Sequence, residues 1–138
     1  MPIEDIPGLR VETIEPVHED ERRAIISVFN NLPLEDLPGF SAAQLKIADI
    51  HQDLPLGGHY HSYDELFYLL KGDALFVVEQ IDTKKRFGFE LPPGGRVFIP
   101  ARVAHRIDHI SAGAVLIGCT TAPYVSGDNN DKKYDFGD

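Results

Sequence analysis

Apolar runs in this chain are short, and turn formers break them again and again. "LPG", "LPLGG", "KGD", "DTKK", "LPPGG" and "SAG" separate stretches of three to eight residues rich in β-branched and aromatic side chains. Glycine and aspartate supply turn dihedrals and proline removes a ladder donor, so each breaker ends a strand. Strands are expected at Leu9–Glu15, Ala24–Phe29, Gln44–His51, Glu65–Lys71, Ala74–Gln80, Arg86–Leu91, Val97–Ile99, Ala104–His109 and Ala114–Thr121. A spacing of roughly 8–12 residues is the signature of an all-β sandwich or barrel. "EDERRAIISVFNN" has the length of a helix, but "AIISVF" favours a strand by its residue types.

"LFYLL", "LFVV" and "AVLIG" do not alternate, so their strands are expected to be buried on both faces, as in a barrel packed against another sheet or subunit. That makes a homodimer the expected assembly. A length of 138 residues suits one domain. We divide it into N-terminal strands at 1–35, open to exchange between dimer partners, a barrel at 36–122 and an irregular tail at 123–138. Thirteen Lys and Arg face 22 Asp and Glu, a formal charge of −9. That balance disfavours nucleic acid, whose binding rests on neutralised phosphates, and it disfavours an anionic membrane. No early apolar run has the length of a signal peptide or a membrane span, so a cytoplasmic location is the expectation. The single cysteine, Cys119, forms no intramolecular disulfide and reads as a small core residue.

The histidines carry the functional signal. In "GGHYHSYDELFYLLKGDA", His59 and His61 share a face if the strand is extended, and Glu65 keeps the same parity. In "PPGGRVFIPARVAHRIDH", the residues Val103, His105, Ile107 and His109 share a face. Neutral imidazoles and one carboxylate are good ligands for a first-row divalent metal.

The two segments resemble the two cupin motifs. In the first, His59, His61, Glu65 and Gly72 fit the register, while Asp53 stands at the opening glycine. In the second, Gly94, Pro100 and His105 fit, while Arg102 replaces a glycine and His109 an asparagine. The resemblance implies a double-stranded β-helix (jelly-roll) barrel with its ligand site in the mouth. It also implies one divalent transition metal (Fe, Mn, Ni, Zn, Co or Cu) held by His59, His61, Glu65 and His105, with two positions open for water or substrate. Arg102 stands at the rim, where it meets an anionic substrate or is simply solvated.

Three functions fit that site. One is an isomerase or epimerase that moves a proton beside the carbonyl of a small sugar-like molecule, with His51, Tyr63 and His109 as candidate catalytic residues by position. The segments "LKIADI", "FIPARVAH" and the tail are similar to sugar-associated cupins of the WxcM-like and capsular-polysaccharide type. Some of those relatives use the two histidines of the first motif as acid and base without a metal, but they lack the glutamate at this place. The alternatives are an Fe(II)-dependent dioxygenase and a non-catalytic small-molecule binding module. Phe67, Leu69, Phe76, Val78, Phe98 and Ile99 are expected in the core, and Tyr60, Tyr68 and Tyr124 as packing residues with a wet hydroxyl. Lys46, Asp49, Arg96 and Arg106 are candidates for the mouth, and His18 lies in a solvated charge run.

Overall fold

A computed structural model describes residues 6–29, 41–123 and 131–138. Among them the chain forms strands and turns but no helix. The strands are β1 (Arg10–Thr13), β2 (His18–Glu19), β3 (Ala24–Ile25), β4 (Gln44–Asp49), β5 (Leu56–His61), β6 (Glu65–Lys71), β7 (Ala74–Gln80), β8 (Arg86–Leu91), β9 (Gly95–Ile99), β10 (Val103–Ile110), β11 (Val115–Thr120) and β12 (Asp131–Lys133). The first sheet runs β1-β9-β6-β11-β4 and the second β12-β5-β10-β7-β8, with β2 and β3 forming a separate hairpin. All pairs are antiparallel. The fold is the jelly-roll barrel that the motifs imply. No helix among the described residues is long and apolar enough to cross a membrane.

Alternation explains how the sheets close on each other. Phe67, Leu69, Phe76, Val78, Val97, Ile99, Ile107 and Leu116 face inward and form one buried cluster. Each such side chain contributes about 1.5–3 kcal/mol by leaving water. On the opposite parity Leu66, Tyr68, Arg96, Phe98 and Cys119 are also buried, while Leu70 is exposed. Leu66, Phe98 and Cys119 form a second cluster outside the first sheet, with Val28 and Ile117 packed on it. The start of "LFYLL" is therefore apolar on both faces because Val28, from the segment preceding the barrel, packs on the cluster that holds Leu66.

The "KGD" turn joins β6 to β7. Gly72 takes φ +91°, and a Cβ there would stand 2.6 Å from both Ala114 Cβ and Ser111 Oγ, so the closing glycine of the first motif has no substitute.

Several elements differ from the sequence reading. Only Ala24–Ile25 of the expected strand Ala24–Phe29 is extended, and it pairs with β2 rather than with the barrel. β1 pairs with β9, so the N-terminal region contributes a strand to the first sheet. The boundary at 35/36 and Tyr124 lie outside the described residues. β5 was hidden because "LPLGG" reads as a breaker; Gly57 and Gly58 lie within the strand at φ +85° and +87°. Residues 131–133 of the tail are a strand on β5, since their backbone completes a ladder whatever their polarity.

Candidate functional site

The two motif segments are stitched together before any imidazole is considered. Arg102 N–H donates to His61 C=O at 2.8 Å. Ala101 N–H donates to Asp64 Oδ1 at 2.8 Å, and Asp64 C=O accepts from Thr121 N–H at 3.1 Å. The turn between β5 and β6 is thus tied to the loop that leads into His105. Arg102 sits at φ 69°, the left-handed region that the motif normally gives to glycine. Its side chain is exposed, so it is solvated rather than turned into the site.

β5 and β10 then place the histidines opposite one another, with His105 paired to His59 across the ladder. Gly57 permits the approach: a Cβ there would lie 3.1 Å from Arg106 Cα and from His105 C=O. One ring nitrogen from each of His59, His61 and His105 lies within 4.8 Å of the others, close enough to share an ion. His61 and His105 are buried and His59 half-buried. Tyr63 stacks on His61, with centroids 4.3 Å apart and planes 11° apart.

Glu65, at the start of β6, is 2% exposed. Its Oε1 lies 3.0 Å from His61 Nε2 and 3.6 Å from His105 Nε2, and its Oε2 lies 3.2 Å from Lys46 Nζ. Burial opposes its charge, but the His61 hydrogen bond and the neighbouring positive charges outweigh burial and hold its carboxyl below the ordinary value. Glu65 is therefore ionised and accepts from His61 and Lys46.

His105 behaves differently. Burial pushes its pKa down to about 4, so the ring is neutral near pH 7. Its Nδ1 lies 3.5 Å from Val103 C=O, the partner to which a proton on that nitrogen would be donated. Nε2 is buried and has no hydrogen-bond partner among the described residues, and in that tautomer it presents a lone pair. An orphaned buried acceptor is costly, and here it points among two further imidazoles and a carboxylate. The three imidazoles form a group that could hold a first-row divalent metal, with Glu65 beside the group and not part of it.

A cavity of ≈ 300 Å³ opens onto this cluster, lined by Lys46, His59, Glu65 and His105 at its polar end and by Phe67, Leu116 and neighbouring aliphatic residues elsewhere. Lys46 was among the mouth candidates and is at the site. The other three are not. Asp49 is exposed beside His51; Arg96 is buried against Glu12 and Val28 C=O; Arg106 bonds Asp108 and Asp138.

Two candidate catalytic residues also lie elsewhere. His51 is 85% exposed just beyond β4, near Asp49. His109 is 72% exposed. The cause is a bulge between Ile107 and His109 in the pairing with β7, which inverts the alternation so that Ile110 faces the core instead. His109 lines a separate groove of ≈ 570 Å³ with Asp53, Asp73 and Glu90. His109 Nδ1 is 3.9 Å from Asp53 Oδ1 there, so two departures from the cupin motifs face each other.

No family model matches the chain, and no curated protein does. Solved structures do. The chain is similar to the ChmJ 3'-monoepimerase from Streptomyces bikiniensis in complex with dTDP-quinovose, at TM-score 0.76 and 19% identity, covering 94% of this chain and 70% of that one. It is similar to the dTDP-6-deoxy-D-glucose-3,5-epimerase RmlC from Legionella pneumophila, at TM-score 0.72 and 24% identity over 91% and 72% of the two chains. It is also similar to the QdtA 3,4-ketoisomerase from Thermoanaerobacterium thermosaccharolyticum, in complex with TDP, at TM-score 0.68 and 17% identity over 90% and 86%. These likenesses establish the RmlC-like cupin fold.

Proposed function

We propose that this barrel is an isomerase- or epimerase-type enzyme that moves a proton beside the carbonyl of a small sugar-like molecule. It holds one divalent transition metal on His59, His61 and His105, with Glu65 as the fourth ligand. Among the described residues, the His105 Nε2, buried without a hydrogen-bond partner and grouped with His59 and His61, carries this reading, because a shared divalent ion would satisfy it. A metal at this place supplies a Lewis acid for the substrate carbonyl. The chain's own groups supply the rest. Lys46 donates to Glu65 and can donate to the carbonyl oxygen as charge develops, and Tyr63, stacked on the His61 ring, takes the proton from the carbon beside the carbonyl and returns it. The apolar wall limits water at the reacting carbon. That the similar structures include sugar epimerases and ketoisomerases supports the substrate class.

The test is proton exchange in D₂O, followed by NMR on TDP-4-keto-6-deoxyglucose and on free keto sugars. The proposal expects deuterium at a carbon beside the carbonyl, at a rate lowered at least tenfold by Lys46→Met. No exchange in any of them defeats it. A second reading rests on the His61–Glu65 hydrogen bond of 3.0 Å, which equips His61 to carry a proton without metal; exchange that persists in metal-stripped protein selects it.

We also propose a homodimer. The apolar residues exposed on the β2–β3 hairpin and just after it (Val17, Ile25, Phe29) and on edge strand β4 (Leu45, Ile47) support that assembly. A monomer mass by light scattering at micromolar concentration rules it out.

A further inference from the structure

β5 carries two of the three imidazoles, and its two edges are closed by different parts of the chain. Its pairing with β10 runs over three residue pairs and is interrupted by an irregularity beside His105. Its other edge is closed by β12, in the register Asp131 with His61, Lys132 with Tyr60 and Lys133 with His59. Tyr134 N–H extends that ladder to Gly58 C=O at 3.0 Å. The strand that holds the cluster is therefore an interior strand only while the C-terminal segment lies beside it.

The residues after β12 are fastened across the outer face of the second sheet. Tyr134 O–H donates to Glu79 on β7 and accepts from Lys84 at 3.1 Å. The Phe136 ring lies under two guanidinium groups, Arg106 at 4.5 Å and Arg86 at 5.4 Å. Asp138 takes two bonds of 2.9 Å from Arg106, and Arg86 adds a third at 3.3 Å. A bidentate guanidinium–carboxylate pair has fixed geometry, and a guanidinium over an aromatic ring is attracted by the ring's negative face. Arg106 neighbours His105 on β10, so the fastening joins the tail to the strand that bears the third imidazole.

We propose that residues 131–138 form a clasp, closed by Phe136 and Asp138 on Arg86 and Arg106, that positions His59 and His61 against His105. Asp138 and Phe136 are positioning residues: they act on the cluster through β12 and the ladder it forms with β5. Opening the clasp leaves β5 as a free edge and loosens the imidazoles while the barrel stays folded. The metal-affinity readout of this inference rests on the proposed ion site; the other two readouts do not.

The experiment compares the full chain with Asp138→Asn, Phe136→Ala and Glu12→Gln. The last variant removes an ion pair from the opposite sheet, where Glu12 bonds Arg96. Three quantities are read: amide hydrogen exchange of β5, the ring-nitrogen NMR signals of His59 and His61, and the dissociation constant for Co(II). The clasp predicts β5 exchange at least tenfold faster in Asp138→Asn and Phe136→Ala, with altered ring signals and Co(II) affinity lowered three- to tenfold. Glu12→Gln changes none of these. Both clasp variants leaving β5 exchange and ring signals as in the parent, whatever their melting temperature, overturn the clasp. So does equal acceleration in Glu12→Gln. If the parent binds no Co(II), the ion proposal fails, and exchange with the ring signals still decides the clasp.

Discussion

His105 and His109 stand four residues apart on one strand, yet one is 3% exposed and the other 72%. The first has a neutral ring pressed among two imidazoles and a carboxylate; the second faces water and Asp53. The two ends of β10 teach that residue type and parity do not make a site. Convergence of strands does, and one inserted residue undoes it. At His105, β5 arrives with His59 and the turn into β6 delivers Glu65. At His109, the bulge has already rotated the side chain outward.

The contrast sharpens under substitution, and the largest effect is on activity. His105→Ala should lower turnover of any substrate by about two to four orders of magnitude, the range seen when a key catalytic group is lost, while His109→Ala and His51→Ala change it less than twofold. Steady-state rates check this. Comparable losses in His109→Ala would dissolve the distinction.

The next effect is on stability against pH in metal-free protein. The folded pKa of His105 is about 4 against an ordinary 6.5. Between those values the unfolded chain binds a proton that the folded chain refuses, so stability falls as pH drops through that window, by about 3 kcal/mol in all. The depressed Glu65 continues the loss at lower pH, because its contribution is present above its unfolded value and lost as pH falls through its folded one. Urea denaturation at steps from pH 7 to pH 4 should show the slope. His105→Ala should flatten it, and His109→Ala should leave it intact.

Smaller effects follow from single contacts. Glu65→Gln removes the charged acceptor for His61 and Lys46 and should cost about 2 kcal/mol, measured by the same unfolding. Arg102→Gly relieves a non-glycine residue at φ 69°. It should stabilise by up to about 1 kcal/mol, since that conformation costs an L-residue 1–2 kcal/mol and glycine's extra chain entropy offsets part of the gain. His109→Ala, exposed at a groove rim, should change stability by less than about 0.5 kcal/mol.

Much of this arrangement could be read in the sequence where local rules decide it. β6, β7 and β8 lie at the expected bounds because β-branched and aromatic runs meet clear turn residues on both sides. His59, His61, Glu65 and His105 were found together because their spacing in two motifs survives any change in the rest of the chain. β5 was concealed by its glycines, whose value lies in close approach to β10 and not in strand propensity. β12 is polar and short, and only the ladder offered by β5 makes it a strand. His109 was misplaced because a bulge leaves no periodic trace. Lys46 could be named for the mouth, but its contact with Glu65 depends on β4 pairing with β11 beside β6.

The most direct test of the account is metal content. Plasma-emission analysis would compare protein purified without chelator or histidine tag with its His105→Ala variant. The account predicts about one equivalent of a divalent transition metal in the parent and almost none in the variant. No ion in the parent after reconstitution, or an ion held equally well by the variant, would contradict it.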